Sequence, residues 1–257
     1  MPKLAANLST LFPQLAFLER FGAAARAGFR YIEYQFPYSW DPHEIAACAT
    51  AAGVEVVLHN APPGSGPGDR GIACLPGREA EFREGIERAL DYAKAVGCRR
   101  LHCLAGVAPD GADREHLHST FVSNLRHAAQ RFAAEEIELL IEPINTRSIP
   151  GYFLNGSRQA ERVLEEIGAP NARIQYDIFH MQIMEGDLAR TIERLLPRIG
   201  HMQLADVPGR HEPGTGEINF QFLLRHIDRI GYTGWIGCEY NPVGDTVEGL
   251  AWAKPYL

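Results

Sequence analysis

Eight short β-rich runs alternate with longer helical runs, and this alternation constrains the fold more than any other feature of the sequence. We predict strands at residues 4–8, 31–36, 54–60, 100–105, 138–144, 174–180, 200–205 and 235–240. Between them, apolar residues recur at helical spacing, as Leu117, Phe121 and Leu125 do. A glycine suited to a left-handed helix stop follows five of the helical runs, at positions 28, 53, 97, 168 and 231.

Eight β-then-α units in 257 residues match the count and size of a (β/α)₈ barrel, an α/β fold. A doubly wound parallel sheet is the alternative, but it would more often have roughly five to seven strands and a tight glycine turn after the first. Residues 9–13 read Ser-Thr-Leu-Phe-Pro, with no glycine. No linker or internal domain boundary is visible, so we predict a single TIM-barrel domain over residues 1–257.

Charge and cysteine usage narrow the classes of function. The chain has 25 basic and 32 acidic residues and a net charge of −7, which counts against a nucleic acid partner. No run approaches the roughly 18 apolar residues of a membrane helix, and residues 1–10 read as a strand and not as a signal peptide. The five cysteines are odd in number and contain no CxxC pair. We therefore expect a reduced, cytoplasmic protein without a membrane partner.

The scarcity of lysine excludes one class of barrel chemistry. None of Lys3, Lys94 and Lys254 falls at the end of a predicted strand, where a Schiff-base aldolase needs one. The string Gly-Pro-Gly-Asp-Arg-Gly at 66–71 matches GxGxxG, but it lies in a Pro-rich loop and not at a strand-to-helix turn. Hydride transfer on a dinucleotide is therefore not expected.

Polar side chains lie near the ends of four successive predicted strands, where the chemistry of a (β/α)₈ barrel takes place. They are Glu142, Asp177, Gln203 and Glu239. Burying several carboxylates together is costly unless protons or a cation neutralise them. Hard oxygen donors predict a site for Mg²⁺ or Mn²⁺, with an uncoordinated acidic network as the alternative. A single strand glutamate such as Glu33 is expected to face outward into a salt bridge.

Two carboxylates facing one another across a metal are suited to moving a proton between neighbouring carbons. One glutamate would remove the proton beside a polarised carbonyl, and the other would return it at the next carbon. Arg70 and Arg210 are candidates to bind an anionic substrate through paired hydrogen bonds, with solvated surface arginines as the alternative. The Gly- and Pro-rich loop 61–77 is expected to be a lid over the site, or else a flexible surface excursion.

A resemblance covers nearly the whole chain. Its motifs are Leu-Ala-Ala-Asn-Leu-Ser (4–9), Gly-Ile-Ala-Cys-Leu-Pro-Gly-Arg-Glu (71–79), Ile-Glu-Pro-Ile-Asn (141–145), Gln-Tyr-Asp-Ile-Phe-His-Met-Gln (175–182), His-Glu-Pro-Gly-Thr-Gly-Glu-Ile-Asn (211–219) and Gly-Trp-Ile-Gly-Cys-Glu-Tyr (234–240). In these motifs the chain resembles the hydroxypyruvate isomerase and 2-oxo-tetronate isomerase family of the xylose-isomerase-like TIM barrel superfamily. That superfamily also holds ketose 3-epimerases and nucleases of the apurinic endonuclease IV type.

The resemblance implies that Glu142 and Glu239 are the catalytic pair. It implies a metal-binding set of Glu142, Asp177, Gln203 and Glu239. It also implies that His59 and His180 line the substrate pocket. Many members of the superfamily have a histidine where this chain has Gln203, and an amide oxygen is a weaker ligand than imidazole for transition metals. We therefore expect loose or substrate-dependent metal binding, or Mg²⁺ by default.

The implied activity is isomerisation of a short, anionic 2-oxo acid sugar derivative through a metal-stabilised enediolate. The reaction would convert 2-dehydrotetronate to 3-dehydrotetronate, or hydroxypyruvate to tartronate semialdehyde. The alternatives are a ketose 3-epimerase acting on a neutral sugar, a metal-dependent nuclease acting on damaged DNA, and a non-catalytic sugar-acid binding protein. Substrate charge separates the first of these, and the acidic chain weighs against the second. Barrels of this superfamily often self-associate, so a homo-oligomer is considered by analogy.

Overall fold

Eight parallel strands pair in chain order and close into a barrel through β8 and β1 in the computed structural model, which describes residues 2–257. The strands are β1 Lys3–Asn7, β2 Tyr31–Tyr34, β3 Glu55–Asn60, β4 Arg100–His102, β5 Glu138–Ile141, β6 Ala172–Asp177, β7 Ile199–Leu204 and β8 Trp235–Cys238. Each lies where the sequence predicts it, so the (β/α)₈ fold is confirmed. A doubly wound sheet is excluded, because such a sheet is open at both edges.

Helices follow the strands and pack outside the barrel. They are α1 Glu19–Arg26, α2 Pro42–Ala52, α3 Glu79–Val96, α4 Arg114–Ala133, α5 Ser157–Ile167, α6 Ile178–Met184, α7 Leu188–Leu195 and α8 Phe220–Arg229, with a 3₁₀ segment at Glu248–Tyr256 after β8. The predicted glycine stops are confirmed, since Gly53, Gly97 and Gly168 end α2, α3 and α5 in the left-handed conformation. Between residues 2 and 257, no helix is long and apolar enough to span a membrane.

The predicted strands run too far at their carboxyl ends, most clearly in β6. We predicted a strand over 174–180, but β6 ends at Asp177, and His180 lies in α6. The reason is a helix cap: Asp177 Oδ1 accepts the backbone N–H of Phe179 at 2.8 Å. Capping leaves the other oxygen, Oδ2, 3.6 Å from Arg210 Nη2 at the carboxyl end of the barrel.

Glu33 faces the interior of the barrel, so the expectation that it points outward is wrong. Its side chain is fully buried and accepts hydrogen bonds from Asn7 Nδ2 (2.9 Å), His201 Nε2 (2.6 Å) and Gln203 Nε2 (2.8 Å). Because β2 and β7 are not neighbours in the barrel, the last two contacts cross its interior. Gly237 on β8 makes room for the carboxylate, since a Cβ atom there would lie 2.2 Å from Glu33 Oε1.

We predict that Gly237→Ala destabilises the protein by about 1–3 kcal/mol, because the added methyl group would displace a buried, fully hydrogen-bonded carboxylate. Urea unfolding measures the change. Gly85→Ala in α3 is the matched control, since the nearest atoms to its new Cβ lie at 3.7 Å, an ordinary contact. It should leave stability unchanged or raise it by up to about 1 kcal/mol. Equal stabilities for Gly237→Ala and the parent protein would contradict the placement of Glu33.

Candidate active site

A cavity of about 110 Å³ opens at the carboxyl ends of the strands and gathers most of the predicted site residues. Its lining includes Arg70, Glu142, His180, Arg210 and Glu239. Asp177 and Gln203 do not line it, but each contacts a residue that does: Asp177 lies 3.6 Å from Arg210, and Gln203 accepts a hydrogen bond from Gln175. The structure thus brings together seven of the eight predicted residues.

Three carboxyl groups are buried together at this cavity. Burial raises the pKa of Glu142 well above its usual range, and the charges of Asp177 and Glu239 raise it further. The pKa values of Asp177 and Glu239 are also raised, again chiefly by burial, although the nearby Arg210 opposes the rise in both. Negative charge on this cluster is therefore unfavourable in free energy. Binding of a proton or a cation by the carboxyl oxygens would reduce that cost.

Two of these oxygens fit a divalent metal ion. Glu142 Oε1 and Asp177 Oδ2 are buried and have no hydrogen-bond partner among the described residues. Together with His180 they form a group whose potential ligand atoms lie within 4.8 Å of one another. Unpartnered, buried carboxylate oxygens are the donors that hard cations such as Mg²⁺ and Mn²⁺ prefer, so the residues present fit such an ion.

His180 turns its Nε2 atom toward this group without forming a hydrogen bond to it. The backbone N–H of Asn145 donates to His180 Nδ1 at 3.3 Å, and burial lowers the pKa of His180 well below its usual range. The imidazole is therefore neutral with its proton on Nε2, which lies 3.4 Å from Asp177 Oδ2 and 3.7 Å from Glu142 Oε1. In this tautomer His180 offers a proton where a metal would need a lone pair, so only the two carboxylate oxygens of the group count as metal donors. The predicted place of His180 in the substrate pocket stays a prediction.

The amide of Gln203 is oriented by hydrogen bonds on both sides. Its Nε2 donates to Glu33 Oε1, and its Oε1 accepts from Gln175 Nε2 at 2.7 Å. Gln175 Nε2 also lies 3.1 Å from Glu142 Oε2 and donates to it. The oxygen of Gln203 is therefore turned toward Gln175, which also contacts Glu142, and its predicted role as a metal ligand stays a prediction.

Glu239 is held in a fixed position from both sides. Its Oε1 accepts hydrogen bonds from Gln35 Nε2 (2.8 Å) and Asn7 Nδ2 (3.3 Å), and its Oε2 accepts one from Arg210 Nη2 (2.5 Å). Arg210 itself has a φ of 55°, a strained conformation for a residue with a side chain. The strain is maintained by Asp206, whose carboxylate accepts four backbone N–H groups of the same loop.

Arg70 differs from Arg210 in having no partner. It extends from the loop 61–77 and lines the cavity, yet it makes no hydrogen bond or ion pair with any residue from 2 to 257. The loop itself is anchored to the barrel, since the Cys74 N–H donates to the Ala105 carbonyl oxygen and Gly71 pairs with Ala105. The structure thus places this loop beside the cavity, and its closing as a lid stays a prediction.

His59 is fully buried and does not line the cavity. Its Nδ1 lies 3.2 Å from the carbonyl oxygen of Asn60, its ring stacks against Tyr34, and burial lowers its pKa to about 4. Asn60 does line the cavity. A direct contact between His59 and substrate, as predicted, is therefore not seen in the lining and stays a prediction.

His102 on β4 is a lining residue that the sequence reasoning missed. Its Nδ1 lies 3.2 Å from Asn60 Oδ1 and 3.6 Å from Glu142 Oε2, and burial lowers its pKa to about 3. Gln35 and Gln175 were missed as well. A search for every polar residue near the end of each strand, neutral ones included, would have found Gln35 and His102, whereas Gln175 lies earlier in its strand.

We predict that Asp177→Asn weakens Mn²⁺ binding tenfold or more, because the variant loses a charged oxygen that has no hydrogen-bond partner. Titration calorimetry on the folded protein measures the affinity. Asp113→Asn is the matched control, since Asp113 caps α4 as Asp177 caps α6 but lies outside the cavity lining. An Asp177→Asn affinity equal to that of the control would show that the cluster is not a metal site.

Comparison with known proteins gives consistent matches over the full chain. A family model described as Xylose isomerase-like TIM barrel matches residues 21–256. Hydroxypyruvate isomerase of Escherichia coli is 49% identical over 257 residues, which cover all of both chains. 2-oxo-tetronate isomerase of Cupriavidus necator is 49% identical over 258 residues, covering 100% of this chain and 99% of that one.

A solved structure also matches over the full length of the chain. It is described as AP endonuclease, family 2, from Brucella melitensis, and it superposes with a TM-score of 0.97 at 46% sequence identity. The match covers 100% of this chain and 99% of that one. The similarity therefore includes the loops around the cavity as well as the barrel.

Proposed function

The chain belongs to the xylose isomerase-like TIM barrel family, within the group of hydroxypyruvate and 2-oxo-tetronate isomerases, and we propose that it isomerises a short 2-oxo acid sugar derivative. The candidate reactions are 2-dehydrotetronate to 3-dehydrotetronate and hydroxypyruvate to tartronate semialdehyde. Each moves a carbonyl group by one carbon, which requires removal of a proton from one carbon and its return at the next.

One observation carries this proposal: Glu142, directly after β5, and Glu239, directly after β8, line the same small cavity. Their strands are separated by β6 and β7, so the two carboxyl groups approach a bound molecule from different sides. Burial raises the pKa of both glutamates, so each is a stronger base than an exposed glutamate and keeps a proton to a higher pH. One glutamate would take the proton and the other would donate it, with the roles reversed in the other direction.

The surrounding residues support this proton transfer. His180 directs its Nε2 proton into the cavity, where it would donate to a substrate oxygen that gains negative charge. Gln175 holds Glu142, and Gln35 holds Glu239, so both carboxyl groups are oriented before substrate binds. A Mg²⁺ or Mn²⁺ ion held by Glu142 and Asp177, with Gln203 and Glu239 completing the predicted set, would supply Lewis-acid polarisation of the carbonyl group.

One residue of the cavity, Arg70, favours an anionic substrate over a neutral ketose. Arg70 lines the cavity without a partner in the described chain, whereas Arg210 is paired with Glu239. An unpaired guanidinium group at a small cavity is suited to a carboxylate. This feature favours the isomerase over a 3-epimerase of neutral sugars, and the net charge of −7 remains unfavourable for a nuclease.

We predict that Glu142→Gln and Glu239→Gln each reduce turnover of the preferred oxo acid by about 100-fold or more, because each removes a group that transfers a proton. A product-resolved assay of hydroxypyruvate and 2-dehydrotetronate, with chelator and then with Mg²⁺ or Mn²⁺, measures the effect. Glu138→Gln is the matched control on β5, since Glu138 pairs with Arg173 and Arg100 outside the cavity lining.

Near-parental turnover in either active-site variant would end the proposal of two exchanging glutamates. If the parent protein turns over neutral ketoses and neither oxo acid, the epimerase is the correct class. Cleavage of duplex DNA at an abasic site, with no isomerase activity, would instead support the nuclease.

A further inference from the structure

Arg78 belongs to the motif at 71–79 and is the centre of an ion-pair cluster. This cluster takes no part in the proposed proton transfer. Arg78 precedes the first residue of α3 and binds Asp69 through two parallel hydrogen bonds, Nη1 to Oδ1 at 2.9 Å and Nη2 to Oδ2 at 2.7 Å. The same guanidinium group binds Glu81 through Nε at 2.8 Å and Nη2 at 2.7 Å. Paired arginine–carboxylate contacts of this kind fix direction as well as distance.

The glycine-rich part of the loop is folded around these carboxylates. Gly66 N–H donates to Asp69 Oδ2 at 2.7 Å, while Ser65 donates to Glu81 Oε1 through both its N–H and its Oγ. A Cβ atom at Gly64, where φ is 118°, would lie 2.2 Å from Asp69 Oδ2. The hydrogen bonds from Arg78 lower the pKa of Asp69 and bring that of Glu81 to about 2, so both carboxylates stay charged near neutral pH.

The backbone on the other side of Arg70 is fixed as well. Gly71 N–H donates to the carbonyl oxygen of Pro63 at 2.9 Å, and Gly71 pairs with Ala105 after β4. Gly71 has a φ of 100°, and a Cβ atom there would lie 2.5 Å from the Leu104 backbone oxygen. Arg70 therefore stands between two anchored neighbours, while its own side chain lines the cavity without a partner among the described residues.

The two arginines of the cavity are not equivalent. Arg210 Nη2 lies 2.5 Å from Glu239 Oε2 and 3.6 Å from Asp177 Oδ2, so its charge is already compensated by two carboxylates. Arg70 has no such compensation. A carboxylate entering the cavity would therefore gain more from Arg70 than from Arg210.

We infer that Arg78 is a positioning residue, which holds the Arg70 backbone through the paired contact with Asp69 so that the Arg70 guanidinium group binds the carboxylate of the substrate. The inference rests on the proposed function and names the group that makes the site selective for acids. Arg78 itself does not line the cavity, so its effect on substrate passes through the loop.

The test compares Arg70→Met, Arg78→Gln and Arg78→Lys on the better of the two oxo acids. We expect KM to rise about 10- to 100-fold in Arg70→Met and about tenfold in Arg78→Gln. Most of the decrease in kcat/KM should come from this rise in KM and not from a lower kcat. Arg78→Lys keeps the charge but loses the parallel contact, so it should resemble Arg78→Gln. The double variant Arg70→Met/Arg78→Gln should be no weaker than Arg70→Met alone, because both changes remove the same contact.

Arg131→Gln is the matched control. Arg131 binds Glu87 through Nε at 2.6 Å and Nη2 at 2.8 Å, the same paired geometry, but it joins α4 to α3 away from the cavity. Its KM should equal that of the parent protein. If Arg78→Gln lowers the melting temperature while KM stays at the parental value, Arg78 has only a structural role and the inference is overturned.

A binding measurement separates this inference from the proposed activity. D-Glycerate carries a carboxylate but lacks the 2-oxo group, and glycerol is its uncharged counterpart. Calorimetry should show glycerate binding to the parent protein and to Arg131→Gln, about tenfold weaker binding to Arg70→Met and Arg78→Gln, and no preference of those variants for glycerate over glycerol. If this binding pattern is found in a protein that turns over neither oxo acid, the inference about Arg78 is supported and the proposed isomerase activity is wrong. If the enzyme is active and all variants bind glycerate equally, the proposed activity is supported and the inference about Arg78 is wrong.

Discussion

The burial of three carboxyl groups close to one small cavity is the constraint on which the rest of the site depends. Glu142, Asp177 and Glu239 are almost wholly buried, and Arg210 is the cation that contacts two of them. Burial of unpaired charge is unfavourable, so the excess is managed by raised pKa values, by neutral hydrogen-bond donors and by the fit to a divalent ion. The carboxyl groups that are costly to bury are also the ones able to hold and release a proton. Their burial is therefore the cause both of the unfavourable free energy and of the proposed chemistry.

The sequence predicted the barrel and most of the cavity because parallel strands bring their carboxyl ends to one side. A polar residue at the end of each strand is then sufficient to locate the site, as for Glu142, Asp177 and Glu239. The same rule was less informative for His59, which is at a strand end but buried beside Asn60, and for Asp206, which organises a loop. The position of a residue along its strand predicts how far along the barrel axis its side chain lies. It does not predict whether the side chain contacts substrate, binds a metal or organises a loop.

Two interior residues escaped prediction for a specific reason. Glu33 and Gln175 lie in strands that are covered on both faces, so their chain neighbours Ile32 and Ile174 are as buried as they are. A run of buried residues therefore does not show which of them face the barrel interior and which face the helices. The two residues then hold opposite sides of the Gln203 amide. The closed barrel decides which buried positions of a strand face its interior, and no pattern of residue types in a single sequence reveals them.

The ion-pair cluster around Arg78 has a consequence for how such enzymes diversify. It lies between β3 and the first turn of α3, whereas the two glutamates proposed to transfer the proton directly follow β5 and β8. In the proposed mechanism, recognition of the substrate's charge and transfer of its proton are therefore encoded in separate parts of the sequence. Substitutions in the first stretch can retune preference among related metabolites while the reaction is inherited intact, which suits a scaffold whose descendants share one chemistry and differ in what they admit.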